Sequence, residues 1–148
     1  ERGVWSWKKK MEALKPFFLD SYALFEIVRE NHNYKKFQET KNFTSMVNLL
    51  EFHYSMAKEF GSRKADVIVE EFKKIVLEIN FNDVKVASEF RIKNSKKKLS
   101  YIDCFGYSMA INRNMKFVTG DKQFKDMENV EFVKWYFNFI YCMVDLMN

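Results

Sequence analysis

The chain has 148 residues and a formal net charge of +5, which fits one domain of ordinary size and excludes a second full domain. Apolar residues make up 47% and charged residues 30%, which excludes a chain that is disordered throughout. Two cysteines do not form a disulfide framework, so we expect a reducing, cytoplasmic setting. The basic charge balance permits a polyanionic partner without requiring one.

The two ends of the chain are interpreted separately from its middle. The start, ERGVWSWKKK, lacks the apolar run of a signal peptide, and Met11 begins a stretch that reads like a natural start. Residues 1–14 are therefore interpreted as an N-terminal extension, of which the part before Met11 need not be native. Residues 135–148 are apolar almost all round but too short to span a membrane, so we expect them to pack on the domain or on a partner.

The first third of the chain predicts two strands and two helices. Phe17 to Leu19 is a short apolar run that ends on Asp20, which is typical of a buried strand. Apolar residues at helical spacing then predict a helix from Ser21. A second helix is expected over Tyr34 to Glu39, and a second strand over Phe43 to Val47.

The rest of the chain continues the alternation of helices and strands. We expect helices from Asn48 to Phe60, from Ala65 to Ile79, from a cap at Asn82 or Asp83 to Arg91, and from Tyr101 to Asn112 behind a Ser100 cap. Strands are expected near Leu77 to Phe81, over Met115 to Thr119, and over Val130 to Val133. This order predicts a single α/β domain over residues 15–134, with a mainly parallel central sheet flanked by helices.

Four acidic residues stand out by their positions in this pattern. Asp20 and Asp121 come just after predicted strands, and ligand sites in parallel sheets lie outside the carboxyl ends of the strands. Glu51 and Asp103 fall in the first turns of predicted helices. Four carboxylates at one edge would repel each other unless cations were present, and Mg²⁺ or Mn²⁺ prefers such oxygen ligands.

Each of these acids also has a purely structural interpretation. Asp20 can cap a helix, Asn48 with Glu51 and Ser100 with Asp103 have the spacing of capping boxes, and Gly120 with Asp121 is ordinary turn chemistry. Spacing alone does not decide between a site and a set of caps.

The segments around the acids carry a resemblance. They are FFLDSYALFEIV, FTSMVNLLEFHYSMAKEFG, KKLSYIDCFGYSMAINRNMKFVTGDKQF and NVEFV. In order and spacing, over about residues 15–133, they resemble the PIN domain, and within it the VapC-like toxin nucleases. The third segment is the most specific, because it places a helix that begins LSxxD before a strand that ends TGDxxF.

The resemblance implies a metal-dependent endoribonuclease that uses Mg²⁺ or Mn²⁺, acts on RNA, and is the toxin of a pair with a cognate antitoxin. It assigns catalysis and metal binding to Asp20, Glu51, Asp103 and Asp121, and supporting polar roles to Thr119 and Ser100. It also implies a homodimer. A metal-bound water would attack phosphorus, so no Ser or Cys nucleophile is required.

Residues outside this acidic set have weaker functional signals. A run of basic residues before the Asp103 helix could hold RNA phosphates or could be a solvated loop, and its members are Lys93, Lys96, Lys97 and Lys98. His32 and His53 fit no catalytic motif. Cys104 and Cys142 lack zinc-ligand spacing, and Cys104 is expected to be a packing residue.

Three other functions stay open on the sequence. One is a PIN nuclease of RNA processing or quality control, and another is a PIN module that binds RNA or protein without cutting. Loss of an acid would favour the non-cutting module, but all four acids are present. The third is a phosphatase on another α/β fold, which is disfavoured because Ser21, Tyr22 and Ala23 replace the second aspartate expected after Asp20.

Overall fold

The structure, a computed structural model, describes residues 10–11 and 15–134. The helices within residues 15–134 are α1 (Ser21–Val28), α2 (Met46–Phe60), α3 (Ser62–Phe72), α4 (Phe81–Lys93) and α5 (Tyr101–Asn112). The strands within the same residues are β1 (Phe17–Leu19), β2 (Asn42–Ser45), β3 (Val76–Leu77), β4 (Lys116–Thr119) and β5 (Val130–Phe132). Short 3-10 helices cover His32–Glu39, Lys73–Ile75, Ser95–Lys97 and Lys122–Phe124.

The strands form one sheet in the order β3-β2-β1-β4-β5, and every pairing between them is parallel. The predicted α/β class and parallel sheet are therefore confirmed. The chain adds β2 and β3 on one side of β1 and then crosses to add β4 and β5 on the other side. The order thus reverses between β1 and β4, which is the usual position of a ligand crevice in an open α/β sheet.

Side chains of the central strands alternate between two apolar cores, one on each face of the sheet. Leu19 and Val118 belong to the core that includes Phe52 of α2. Phe18 and Phe117 belong to the core on the opposite face, and each of these four strand residues has no exposed surface. Continuous apolar runs of this kind are typical of strands buried on both faces.

Several predicted boundaries are wrong, and the first concerns α2. The prediction began this helix at Asn48, but β2 ends at Ser45 and the helix begins at Met46. The Ser45 side chain caps it by accepting a hydrogen bond from the Asn48 backbone N–H, at 3.3 Å. The predicted capping box between Asn48 and Glu51 is therefore wrong, because both residues lie inside the helix.

The next two differences concern the segment between α3 and α4. The helix predicted to run to Ile79 ends at Phe72, because the chain enters β3 at Val76. Asn80, rather than Asn82 or Asp83, caps α4, and it forms a capping box in which its side chain and that of Asp83 each accept a backbone hydrogen bond. The helix then extends to Lys93, so the predicted basic loop begins one residue later than expected.

The predictions for the N-terminal extension, residues 1–14, and for the apolar segment, residues 135–148, fall on parts of the chain outside the described residues, apart from residues 10–11. Within the described residues, no helix is long and apolar enough to cross a membrane.

Candidate active site

Asp20 is buried at the carboxyl end of β1, with only 5% of its surface exposed. Its Oδ1 accepts a hydrogen bond of 2.6 Å from the Ala23 backbone N–H and so caps α1. Burial raises the pKa of its carboxyl from 3.8 to about 7, although hydrogen bonds with Thr119 and Ala23 oppose that rise. The negative charges of Asp103 and Glu51 raise the pKa further, so the three carboxylates are close enough to repel each other.

Glu51 lies in the second turn of α2, and a buried polar cluster fixes this helix against α1. The Ser21 hydroxyl donates to the Asn48 carbonyl at 3.1 Å, and the Asn48 side-chain amide donates to the Ser21 hydroxyl at 3.3 Å. The Ser45 hydroxyl donates to Asn48 Oδ1 at 2.6 Å. Because Ser21 follows Asp20 directly, this cluster sets the position of Glu51 relative to Asp20.

Asp103 lies in the first turn of α5 and takes part in the predicted capping box. Its backbone N–H donates to Ser100 Oγ, and the Ser100 backbone N–H donates to Asp103 Oδ2, each at 3.0 Å. The predicted supporting residue Ser100 is thus the cap that holds the Asp103 side chain. The cap uses one carboxylate oxygen and leaves Oδ1 outside this pair of hydrogen bonds.

Asp121 follows β4 and is positioned by Thr119 and Gly120. Its backbone N–H donates to Thr119 Oγ1 at 3.0 Å, and its Oδ1 accepts from the Gln123 backbone N–H at 2.9 Å. Gly120 lies against the Tyr22 ring, and an added Cβ there would be 2.8 Å from a ring carbon. Only glycine allows the chain to pass so close to Tyr22 on its way to Asp121.

All four predicted acids line one cavity of about 920 Å³ at this edge of the sheet. The other residues of its wall include aromatic and basic side chains, namely Tyr22, Phe25, Tyr54, Lys58 and Lys122. Glu59 also lines the cavity, but its carboxylate accepts a hydrogen bond of 2.7 Å from Arg29. The wall of the cavity therefore carries both the four acids and the cations Lys58 and Lys122.

The donors of this cavity suit a hard divalent cation. Mg²⁺ and Mn²⁺ prefer carboxylate oxygens and retain several waters, so they do not require an all-protein cage. As the side chains stand, no three His, Cys, Asp or Glu residues in the described parts of the chain are close enough together to hold one ion. The fit thus rests on the four oxygen-bearing side chains and on the raised pKa of Asp20, which a nearby cation would lower.

The predicted basic residues do not line this cavity. Lys93, Lys96 and Lys98 are exposed, and the Lys97 ammonium donates to the Gln123 carbonyl at 2.9 Å, just beyond Asp121. Their role in RNA binding stays a prediction.

The histidines and the described cysteine stand apart from the cavity. His53 lies 2.9 Å from Asp66 Oδ1, between α2 and α3, and His32 is exposed at the start of a 3-10 helix. Cys104 is buried in an apolar core, as expected of a packing residue.

Tyr54 and Lys58 line the cavity, although the sequence pattern points only to Glu51 on this helix. They follow Glu51 by three and seven residues, which is the spacing of one helical face. That spacing was available in the sequence, but it becomes a signal only once Glu51 is known to face a cavity.

Residues 17–130 match the family described as the PIN domain. No curated protein sequence matches the chain. Among solved structures, the fold is similar to VapBC2 from Rickettsia felis bound to a promoter DNA fragment, with a TM-score of 0.62 and 19% identity over 82% of this chain and 99% of that one. It is also similar to VapC20 of Mycobacterium tuberculosis, described as a sarcin-ricin loop cleaving toxin, with a TM-score of 0.63 and 14% identity over 77% and 98%.

A third similar structure is VapBC-1 from nontypeable Haemophilus influenzae, with a TM-score of 0.61 and 12% identity over 81% of this chain and 98% of that one. At such low identities these likenesses establish a shared fold.

Proposed function

The chain belongs to the PIN domain family, and from that premise we propose that it is a metal-dependent endoribonuclease and the toxin of a toxin–antitoxin pair. The observation that carries the proposal is the meeting of Asp20, Glu51, Asp103 and Asp121 in one cavity at the carboxyl edge of the sheet. These acids come from four separate segments of the chain. The topology of the parallel sheet accounts for Asp20 and Asp121 meeting at this edge, and Glu51 and Asp103 reach the same cavity from two separate helices.

In this proposal the four carboxylates hold Mg²⁺ or Mn²⁺, which when bound supplies an activated water and stabilises negative charge at the scissile phosphate. Burial raises the pKa of Asp20 to about 7, so its carboxyl is only partly ionised at neutral pH, and a bound cation would favour the ionised form. Thr119 orients Asp20 and the Asp121 backbone, and Ser100 orients Asp103. Asp20, Asp103 and Asp121 are thus held in place before RNA arrives.

The toxin assignment is supported by the kind of proteins that share the fold. Two of the similar structures are VapBC assemblies, and a third is a VapC toxin. We therefore propose a cognate antitoxin protein as partner, a homodimer as the working form, and a cytoplasmic location. The presence of all four acids favours cleavage over a PIN module that only binds RNA or protein.

The nuclease proposal is tested by incubating a panel of structured RNAs with the purified chain in Mn²⁺, in Mg²⁺ and in EDTA. Wild type should cleave at least one RNA with metal and none in EDTA, and Asp103→Asn should lose that cleavage. The matched control is Asp126→Asn, because Asp126 is exposed and does not line the cavity. Full cleavage by Asp103→Asn, or cleavage by wild type in EDTA, would refute the proposal.

The toxin assignment has its own test in a bacterial host. Induced expression of wild type should arrest growth, whereas Asp103→Asn should not. Cleavage in vitro without any growth arrest would favour the alternative, a PIN nuclease of RNA processing or quality control.

A further inference from the structure

Helix α2 presents a row of cavity-lining side chains beyond Glu51. They are Tyr54, Ser55, Lys58 and Glu59, at the spacing of one helical face. With a rise of about 1.5 Å per residue, Tyr54 lies about 4.5 Å and Lys58 about 10.5 Å along the helix axis from Glu51. The helix therefore places a carboxylate, an aromatic ring and a cation in sequence along one wall.

Tyr54 has no evident structural role on this wall. Its surface is 65% exposed, although it belongs to a helix whose Phe52 and Met56 are fully buried. Among the described residues, no aromatic ring or cation packs on its ring, whereas Phe25 on the opposite helix is covered by Arg29 at 4.8 Å. A large ring left exposed inside a cavity is available for a ligand.

The Lys58 ammonium is likewise available for a ligand, because the acid next to it in sequence is paired with another residue. Glu59 is the nearest acid in sequence, and it is bound by Arg29 at 2.7 Å. Within the described chain, no carboxylate lies within 4 Å of the Lys58 ammonium. Lys58 is therefore a free cation on the wall of an acidic cavity.

We propose that Tyr54 and Lys58 position the RNA, with Tyr54 stacking on a base beside the cut site and Lys58 binding a phosphate one step further along the strand. This inference rests on the proposed nuclease function. RNA bases that are unpaired stack on exposed aromatic rings, and lysines bind their phosphates. Both contacts attract RNA to a cavity whose four acids repel it.

RNA is a better occupant of this wall than a protein segment. An apolar partner helix would need a continuous apolar stripe, and the exposed Met46 and Leu50 precede Tyr54 on α2. Neither of them lines the cavity, however, and the other α2 residues of the wall around Tyr54 are Glu51, Ser55, Lys58 and Glu59. The alternation of one ring with one free cation matches the base and phosphate of a nucleotide instead.

The test measures binding of a fluorescent oligoribonucleotide, taken from an RNA that wild type cleaves, to chains that also carry Asp103→Asn so that nothing is cut. Tyr54→Leu should weaken binding by about five- to 150-fold, the range expected for one lost stack. Tyr54→Phe should bind like the parent, because the ring is kept. The control is Phe81→Leu, since Phe81 is 74% exposed on α4 and lies outside the cavity wall.

Lys58 is tested by the salt dependence of the same binding. Lys58→Met should lower the slope of log affinity against log salt by about 0.7, as expected for one phosphate contact to a single strand. Lys58→Arg should keep the slope of the parent, because the positive charge is kept. Lys64→Met is the control, because Lys64 is exposed on α3 and does not line the cavity.

The outcomes separate this inference from the nuclease proposal. If the wild-type chain cleaves RNA but Tyr54→Leu and Lys58→Met bind it with unchanged affinity and slope, the inference is overturned and the nuclease proposal stands. The inference is also overturned if Tyr54→Leu binds RNA normally and loses only a protein partner. If wild type cleaves no RNA, the nuclease proposal itself fails.

Discussion

Replacing Asp20 with asparagine should make the metal-free protein more stable at neutral and alkaline pH. Asp20 is 5% exposed and has a pKa of about 7, whereas an aspartate in the unfolded chain ionises near 3.9. At pH 8 the folded protein must therefore bury an ionised carboxylate beside Asp103 and Glu51. Asparagine removes this charge and keeps an oxygen that can accept the Ala23 backbone hydrogen bond, because asparagine caps helices as well as aspartate does.

The magnitude follows from the difference between the folded and unfolded pKa values. About three pKa units at about 1.4 kcal/mol each give up to about 4 kcal/mol at pH 8. Because the folded pKa is the higher one, the cost of ionising Asp20 is absent below about pH 4, grows as the pH rises, and is constant above about pH 7. The gain from Asp20→Asn should follow the same course, reduced by the weaker hydrogen bond between Thr119 and a neutral side chain.

Urea denaturation in EDTA between pH 4.5 and pH 8 measures this difference. The free energy of unfolding of Asp20→Asn should exceed that of wild type by an amount that increases with pH. Asp126→Asn is the control, because Asp126 is exposed and does not line the cavity. A stability difference between Asp20→Asn and wild type that stays constant from pH 4.5 to pH 8 would refute the reasoning.

Three further predictions concern packing, a buried ion pair and the basic run. Gly106→Ala should lower the melting temperature, because its methyl group would lie 3.1–3.2 Å from three side chains of the core, and this crowding exceeds the roughly 1 kcal/mol gained in helix propensity. Arg113→Met should lower the free energy of unfolding, measured in urea, by about 3–5 kcal/mol, because it leaves Asp83, which is 2% exposed, without its ion-pair partner. Adding Asp83→Asn to this variant should recover part of the loss. Changing Lys96, Lys97 and Lys98 to alanine should weaken RNA binding and lower its salt slope by about two if each lysine contacts one phosphate, and unchanged binding would make them a solvated loop.

The elements that the sequence predicted well are those with one unambiguous local signal. β1 is a short apolar run, and α5 has a single cap candidate in Ser100. The α2 boundary failed because Ser45 and Asn48 are both cap-type residues, three positions apart. The choice between them depends on the contact of Asn48 with Ser21, which is 27 residues away along the chain. Local sequence carries no information about that contact.

The positions of the acids were predictable from topology, but their environments were not. The carboxyl ends of parallel strands meet at one edge, so strand order alone brings Asp20 and Asp121 together. Burial depends on which side chains pack around each acid, and it distinguishes Asp20 from the half-buried Glu51. The raised pKa of Asp20 follows from that packing, so no pattern of spacing could have predicted it.

An aspartate can cap a helix and contribute to the site at the same time, although the sequence offers these two roles as alternatives. A carboxylate has two oxygens, and a cap uses one of them: Oδ1 of Asp20, Oδ2 of Asp103 and Oδ1 of Asp121 each accept from a backbone N–H. The cap fixes the side-chain rotamer and thereby aims the carboxylate at the cavity. Preorganised ligands bind without the entropic cost of ordering flexible side chains. Glu51, which caps nothing, is the one acid of the four that must be ordered when a ligand binds, and the buried Asn48 cluster one turn away reduces that cost by fixing its helix.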